Sequence, residues 1–113
     1  MQSGNDSDLT FVADPGVVAD RILTLYARTG REEAMKWLIV AARSDIEESA
    51  RGVGYEPRPV LWYVIGKEIS GDPTYYESEE FMNALQLGPN ELPWYQSAVE
   101  AIRAYLSFVA LRR

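Results

Sequence analysis

The sequence predicts an all-α protein, a compact bundle of four to five helices in a single domain. Three observations carry that expectation. Apolar residues return every three or four positions along most of the chain, helix-capping patterns recur, and no two-residue hairpin turn separates alternating strands. The 113 residues suit one domain, and a 47% hydrophobic content supplies one core but not two. Residues 1–12 read as a flexible N-terminal segment and residues 13–113 as the helical domain.

The elements follow in order. Gln2 to Asp8 is small and polar and lacks a hydrophobic period, so it cannot offset the entropy of ordering. Asp14-Pro15 opens a first helix, because Asp can cap free amides and proline has no N–H to leave unpaired in the first turn. Val18, Ile22 and Leu25 continue it at helical spacing, and Gly30 can take the left-handed conformation that ends it. Thr29-Gly30-Arg31-Glu32 fits a capping box for a central helix near 31–51. Its predicted stripe is Met35, Ile39, Ala42, Ile46, Ala50 and Val53, and Trp37 to Ala42 are apolar all round, which predicts cover on most sides. Glu32 and Lys36, Arg43 and Glu47, and Glu47 and Arg51 sit four apart as solvated pairs.

Gly52, Gly54, Pro57 and Pro59 form an extended break, since proline disfavours helix in the residue before it. Val60 to Ile65 has strand-like composition, but Pro59 in a first turn, Leu61, Val64, Ile65 and Ile69 at helical intervals, and Gly71 at the end predict a helix. Thr74-Tyr75-Tyr76-Glu77 repeats the capping-box pattern ahead of Phe81, Met82 and Leu85, with Gly88-Pro89 closing a short helix. A last helix, near 93–112, keeps Tyr95, Ala98, Val99, Ile102, Tyr105, Leu106 and Val109 on one face and is expected to pack on the central helix. Arg112 and Arg113 suit the negative end of its dipole.

The chain contains neither histidine nor cysteine. The usual neutral-pH acid/base group, the thiolate nucleophile and the soft metal ligands are therefore missing from its chemistry. Asn5 to Thr10 imitates the first half of a calcium loop but lacks the turn glycine and the distal glutamate, and Gly52-Val53-Gly54 lacks the rest of a phosphate-binding loop. Adjacent carboxylates at Glu32-Glu33, Glu47-Glu48 and Glu79-Glu80 diverge by about 100° on a helix and form no facing dyad. We therefore expect no enzyme activity, no metal and no cofactor. Tyr26, Tyr63 and Tyr105 lie in apolar stripes and are expected to pack the core.

Eleven basic against seventeen acidic residues give a net charge of −6, which disfavours nucleic acid and anionic membranes. With no apolar stretch of membrane-spanning length and no cysteine, a cytoplasmic setting is expected. The charge is unevenly spread. Between Lys67 and Arg103 there is no base, but there are seven acids: Glu68, Asp72, Glu77, Glu79, Glu80, Glu91 and Glu100. Acids select and steer a basic partner and aromatics anchor contacts, so Asp72, Tyr75, Tyr76, Glu77, Glu79, Glu80, Trp94 and Tyr95 are the expected protein-binding residues, facing a basic or neutral protein. Over those few positions the Tyr75-Tyr76 pair beside acids resembles the acidic helical immunity proteins that neutralise bacterial nuclease toxins; the likeness carries no residue roles with it.

The expected function is non-catalytic protein binding, as an inhibitor, immunity or neutralising factor or a small adaptor. One competing expectation is a small helical enzyme or ligand carrier that uses Arg21, Arg28, Lys36 or Arg43 to hold an anion in a pocket between helices. Another is a structural homo-oligomer such as a homodimer, because Trp37, Trp62 and Trp94 are numerous for so small a core.

Overall fold

A computed structural model describes residues 15–51 and 58–111. Five helices form among them: α1 (Pro15–Thr29), α2 (Arg31–Ala50), α3 (Pro59–Ser70), α4 (Glu79–Leu85) and α5 (Leu92–Leu111), with a 3₁₀ turn at Tyr75–Glu77. No strand occurs among the described residues. The Val60 to Ile65 segment is helical, started by Pro59 and stopped by Gly71, whose φ of 78° is left-handed. The expected N-terminal segment, the calcium-loop-like Asn5 to Thr10, the Asp14 cap, the Gly52-Val53-Gly54 turn and the terminal arginines lie outside the described residues.

α2 is the hub, touching α1, α3, α4 and α5, whereas α5 lies more extensively on α3 than on α2. One continuous core joins all five helices: Val18 and Ile22, Leu38 and Ile46, Trp62 and Ile65, Phe81 and Leu85, Tyr95 and Ile102. Trp62 and Phe81 meet near its centre, with ring centroids 6.2 Å apart. Burying each such side chain contributes roughly 1.5–3 kcal/mol.

Several details depart from the sequence-based expectation, each for a local reason. The inward row of α2 is Ala34, Leu38, Ala41, Ala42, Asp45, Ile46 and Ser49: it shares Ala42 and Ile46 with the predicted stripe and is elsewhere centred one position before it. Met35, Ile39 and Ala50 are only partly buried; within Trp37 to Ala42, Leu38, Ala41 and Ala42 are buried, Trp37 and Ile39 pack partly against the core, and Val40 alone is exposed, so the segment is covered on most sides as expected. Asp45, fully buried, accepts from the Arg58 backbone N–H at 2.8 Å and the Trp62 indole N–H at 2.9 Å, which ties the start of α3 to α2. The Thr29 hydroxyl does not cap α2. It still belongs to α1 and donates to Leu25 O at 2.8 Å, while Gly30 takes a positive φ of 94° with extended ψ. Lys36 pairs with Glu33 and Arg51 with Glu48, three residues back, and only Arg43 and Glu47 pair as expected at four.

Arg43 also donates to the carbonyls of Leu85 and Gln86, satisfying the C-terminus of α4 from across the bundle. In α3, Val64 is 44% exposed and Trp62 is the buried residue beside it. In α5 burial ends at Ile102, and Tyr105 and Val109, expected inside, are 43% and 37% exposed. Leu106, between them, is partly buried against the core.

Candidate functional site

The acid-rich interval begins where Gly71 ends α3. Asp72 turns back on itself: its Oδ1 accepts from the Thr74 backbone N–H at 2.9 Å and from the Thr74 hydroxyl at 2.8 Å. The Thr74 backbone bond, helped by the hydroxyl, holds the Asp72 carboxyl below the usual carboxylate range, so it is charged at neutral pH.

The 3₁₀ turn then drives both tyrosines inward. Tyr75 packs on Phe81 with centroids 5.5 Å apart, and Tyr76 sets its ring edge-on to Tyr63 at 5.9 Å. Gly66 leaves room beside the Tyr75 ring, since a Cβ there would come within 3.2 Å of Tyr75 Cδ2, tighter than an ordinary contact. Tyr75, Tyr76 and Tyr95 are all buried, which corrects the expectation that their rings offer contact area to a partner. Their rings close the core and their hydroxyls are used locally. Tyr75 donates to Glu80 Oε2 at 3.1 Å, and Tyr95 donates to the Tyr76 carbonyl at 3.0 Å. Burial and the Glu80 contact push the Tyr75 phenol up to about 12; burial raises Tyr76 and Tyr95 as well.

Ser78 caps α4, accepting from Phe81 N–H at 3.1 Å while its hydroxyl donates to Tyr75 O at 2.8 Å. Glu79 and Glu80 follow in the first turn, exposed at the end where a helix favours negative charge. Beyond them a groove of about 350 Å³ runs between α4 and α5, lined by Glu77, Met82, Tyr95, Gln96, Val99, Glu100 and Arg103. Arg103 pairs with Glu77 across it, and that bond raises the guanidinium further above its ordinary range. Met82 is 37% exposed and supplies apolar contact area in the groove.

The structure thus brings Glu77 and Tyr95 to one groove and Tyr75 and Glu80 to one hydrogen bond. Asp72 stands at the preceding turn and Glu79 beside Glu80. Trp94 is 43% exposed but does not line the groove. Met82 and Ser78 were missed from sequence because Met82 reads as one more core position and Ser78 follows a stronger-looking cap pattern at Thr74.

The four basic residues proposed for an anion pocket do not converge. Arg21 and Arg28 line a shallow hollow on α1, Lys36 lies over α2 beside Glu33, and Arg43 holds the end of α4. Among the described residues no group of three or more Asp or Glu side chains is placed to hold a metal ion, and no helix is long and apolar enough to cross a membrane. Comparison with protein-family models, curated proteins and solved structures finds no match to this chain, so its all-α fold is read from its own residues.

Proposed function

We propose that this is a non-catalytic protein-binding domain, an inhibitor, neutralising factor or small adaptor of the cytoplasm, whose surface from Asp72 to Glu100 receives a basic protein. The observation that carries the reading is the seven-acid interval without a base, on a chain whose net charge is already −6. Glu68, Glu79 and Glu100 are exposed and make no ion pair with another described residue; of the arginines that reach the interval, Arg43 spends its guanidinium on the Leu85 and Gln86 carbonyls and Glu47, and Arg103 is engaged by Glu77. Charge of this kind steers encounter, while the α4–α5 groove with Met82 offers the contact that sets residence time.

The test is affinity capture from the native source followed by binding kinetics with the captured basic protein at two ionic strengths. Glu79→Gln with Glu80→Gln is expected to slow association about tenfold at low salt and little at high salt. Met82→Ala is expected to speed dissociation, whereas Tyr76→Ala acts through stability because its ring is buried. Rates unchanged in folded Glu79/Glu80 and Met82 variants would place the interface elsewhere.

A further inference from the structure

The outer face of α1 carries a shallow hollow of about 310 Å³ lined, among the described residues, by Val17, Asp20, Arg21, Thr24, Leu25 and Arg28. These positions recur at three and four residues and so share one side of the helix. That side is apolar and basic at once. Val17 is 46% exposed, and Leu25 is half-buried although it neither belongs to the core nor packs on it. Arg21 and Arg28 are exposed and meet no carboxylate among the described residues, whereas Lys36, Arg43, Arg51 and Arg103 are all paired and Lys67 stands 5.8 Å over the Tyr63 ring.

We propose that this face receives the chain's own N-terminal stretch, Asp6 to Val12, folded back from Pro15 along α1. Charge and chain length select that occupant. The stretch carries two acids, Asp6 and Asp8, three apolar residues, Leu9, Phe11 and Val12, and no base, so the arginines and the apolar side chains of the hollow both find complements in it. At about 3.5 Å per residue an extended chain takes Phe11 up to about 14 Å from Pro15, Leu9 about 21 Å and Asp8 about 25 Å. Along the helix Arg21 lies about 9 Å, Leu25 about 15 Å and Arg28 about 20 Å from the same residue. Phe11 thus reaches the level of Arg21 and Thr24, Leu9 that of Leu25 and Asp8 that of Arg28, with slack left for the turn. Asp20, the acid of the hollow, lies toward Pro15, where the returning chain is the uncharged Val12 and Ala13.

A segment tethered at Pro15 is present at high effective concentration, so modest contacts hold it where a free peptide would dissociate. Gln2 to Asp8 cannot offset the entropy of ordering by itself, but Leu9, Phe11 and Val12 add apolar area once the arginines anchor the acids. The acidic interval belongs to other elements, so the two surfaces are independent.

Because the chain has no cysteine, Ser7→Cys gives a single attachment point for a nitroxide on the full chain. Paramagnetic broadening of amide resonances is expected to be strongest at Leu25 to Arg28 and weaker at Val17 to Arg21, beside the tether. A tail that roams freely spends most of its time near its attachment and gives the reverse order. Arg21→Glu with Arg28→Glu, both at exposed helical positions, is expected to abolish the broadening at Leu25 to Arg28 with an unchanged helical circular-dichroism spectrum. Adding Asp6→Lys and Asp8→Lys to that protein is expected to restore it. Broadening that falls off steadily from Val17 along α1, that survives the arginine exchange, or that appears equally when a second, unenriched copy carries the nitroxide overturns the proposal.

Discussion

Residues 15–51 and 68–100 handle charge in opposite ways. The first region, α1 and α2, carries six basic and six acidic residues, and half of these charges settle into helical pairs: Glu33 with Lys36, Arg43 with Glu47, Glu48 with Arg51. Such pairs contribute only about 0.2–0.5 kcal/mol each and leave no net field. The second region has seven acids and no base, and its carboxylates hold the chain's turns instead. Asp72 binds Thr74 N–H, Glu91 accepts from Gly88 N–H at 3.0 Å, and Glu80 accepts from the Tyr75 hydroxyl. Bonding an N–H or a hydroxyl stabilises a carboxylate without neutralising it. The second region therefore gains local order and keeps its field, which is what a surface for a basic partner requires.

The sharpest way to probe this difference is to remove a carboxylate from each region. Asp45 in α2 is fully buried and holds both the Arg58 N–H and the Trp62 indole. Asp45→Ala strands those buried donors and is expected to cost about 3 kcal/mol, read as a fall in urea midpoint. Glu79→Ala, on the exposed first turn of α4, should stay within about 0.5 kcal/mol. Equal losses in the two variants would mean that the acids of the second region also hold the fold together.

The regions also differ in how far the sequence discloses them. Helix number and order were legible, as were the start of α1 and both ends of α3, because Pro15, Pro59 and Gly71 act through backbone geometry, which is local; the ends of α4 were not, since it starts at Ser78 rather than Thr74 and stops at the left-handed Gln86 rather than at Gly88-Pro89. The face α2 buries was not, because its inward row includes Ala34, Ala41, Asp45 and Ser49, and the interior role of Asp45 exists only once Trp62, 17 residues on, swings against it. In the second region the charge asymmetry could be counted directly. Which side chains were left for a partner could not: Tyr75 and Tyr76 turn inward at the 3₁₀ turn, Tyr75 against Gly66, while Met82 stays out. Periodicity registers apolar spacing, and a tertiary approach permitted by one missing Cβ leaves no trace in it.

A pH titration separates the tyrosine core from the acids around it. The Tyr75 phenol ionises near 10 in the unfolded chain and is pushed up to about 12 in the fold, first by burial and then by Glu80. Above pH 10 the unfolded state loses this proton and the folded state keeps it, so unfolding gains favour. The contribution of Tyr75 is whole below about pH 10 and is lost as pH rises toward 12. Thermal melts between pH 9 and 12 should show that decline, and Tyr75→Phe should flatten it. A Tyr75→Phe protein with the parent's alkaline slope would assign the decline to other groups.

The smallest expected effect concerns where the acidic region starts its helix. The sequence offers two caps four residues apart: Thr74, which has Glu77 three positions on, and Ser78, which has only Glu79 and Glu80 after it. The hydroxyl of Ser78 takes the Phe81 N–H, while that of Thr74 caps nothing and donates to Asp72 at an exposed turn. Ser78→Ala frees an amide at the start of a seven-residue helix and also drops the bond to Tyr75 O, so a loss of about 1 kcal/mol is expected. Thr74→Ala removes only an exposed hydrogen bond and should cost about half as much or less. Hydrogen exchange at Phe81 and Met82 gives the local readout: Ser78→Ala should speed it and Thr74→Ala should leave it near the parent rate. If Thr74→Ala instead releases those amides, the helix begins at the 3₁₀ turn, and Glu79 and Glu80 no longer stand at its exposed first turn.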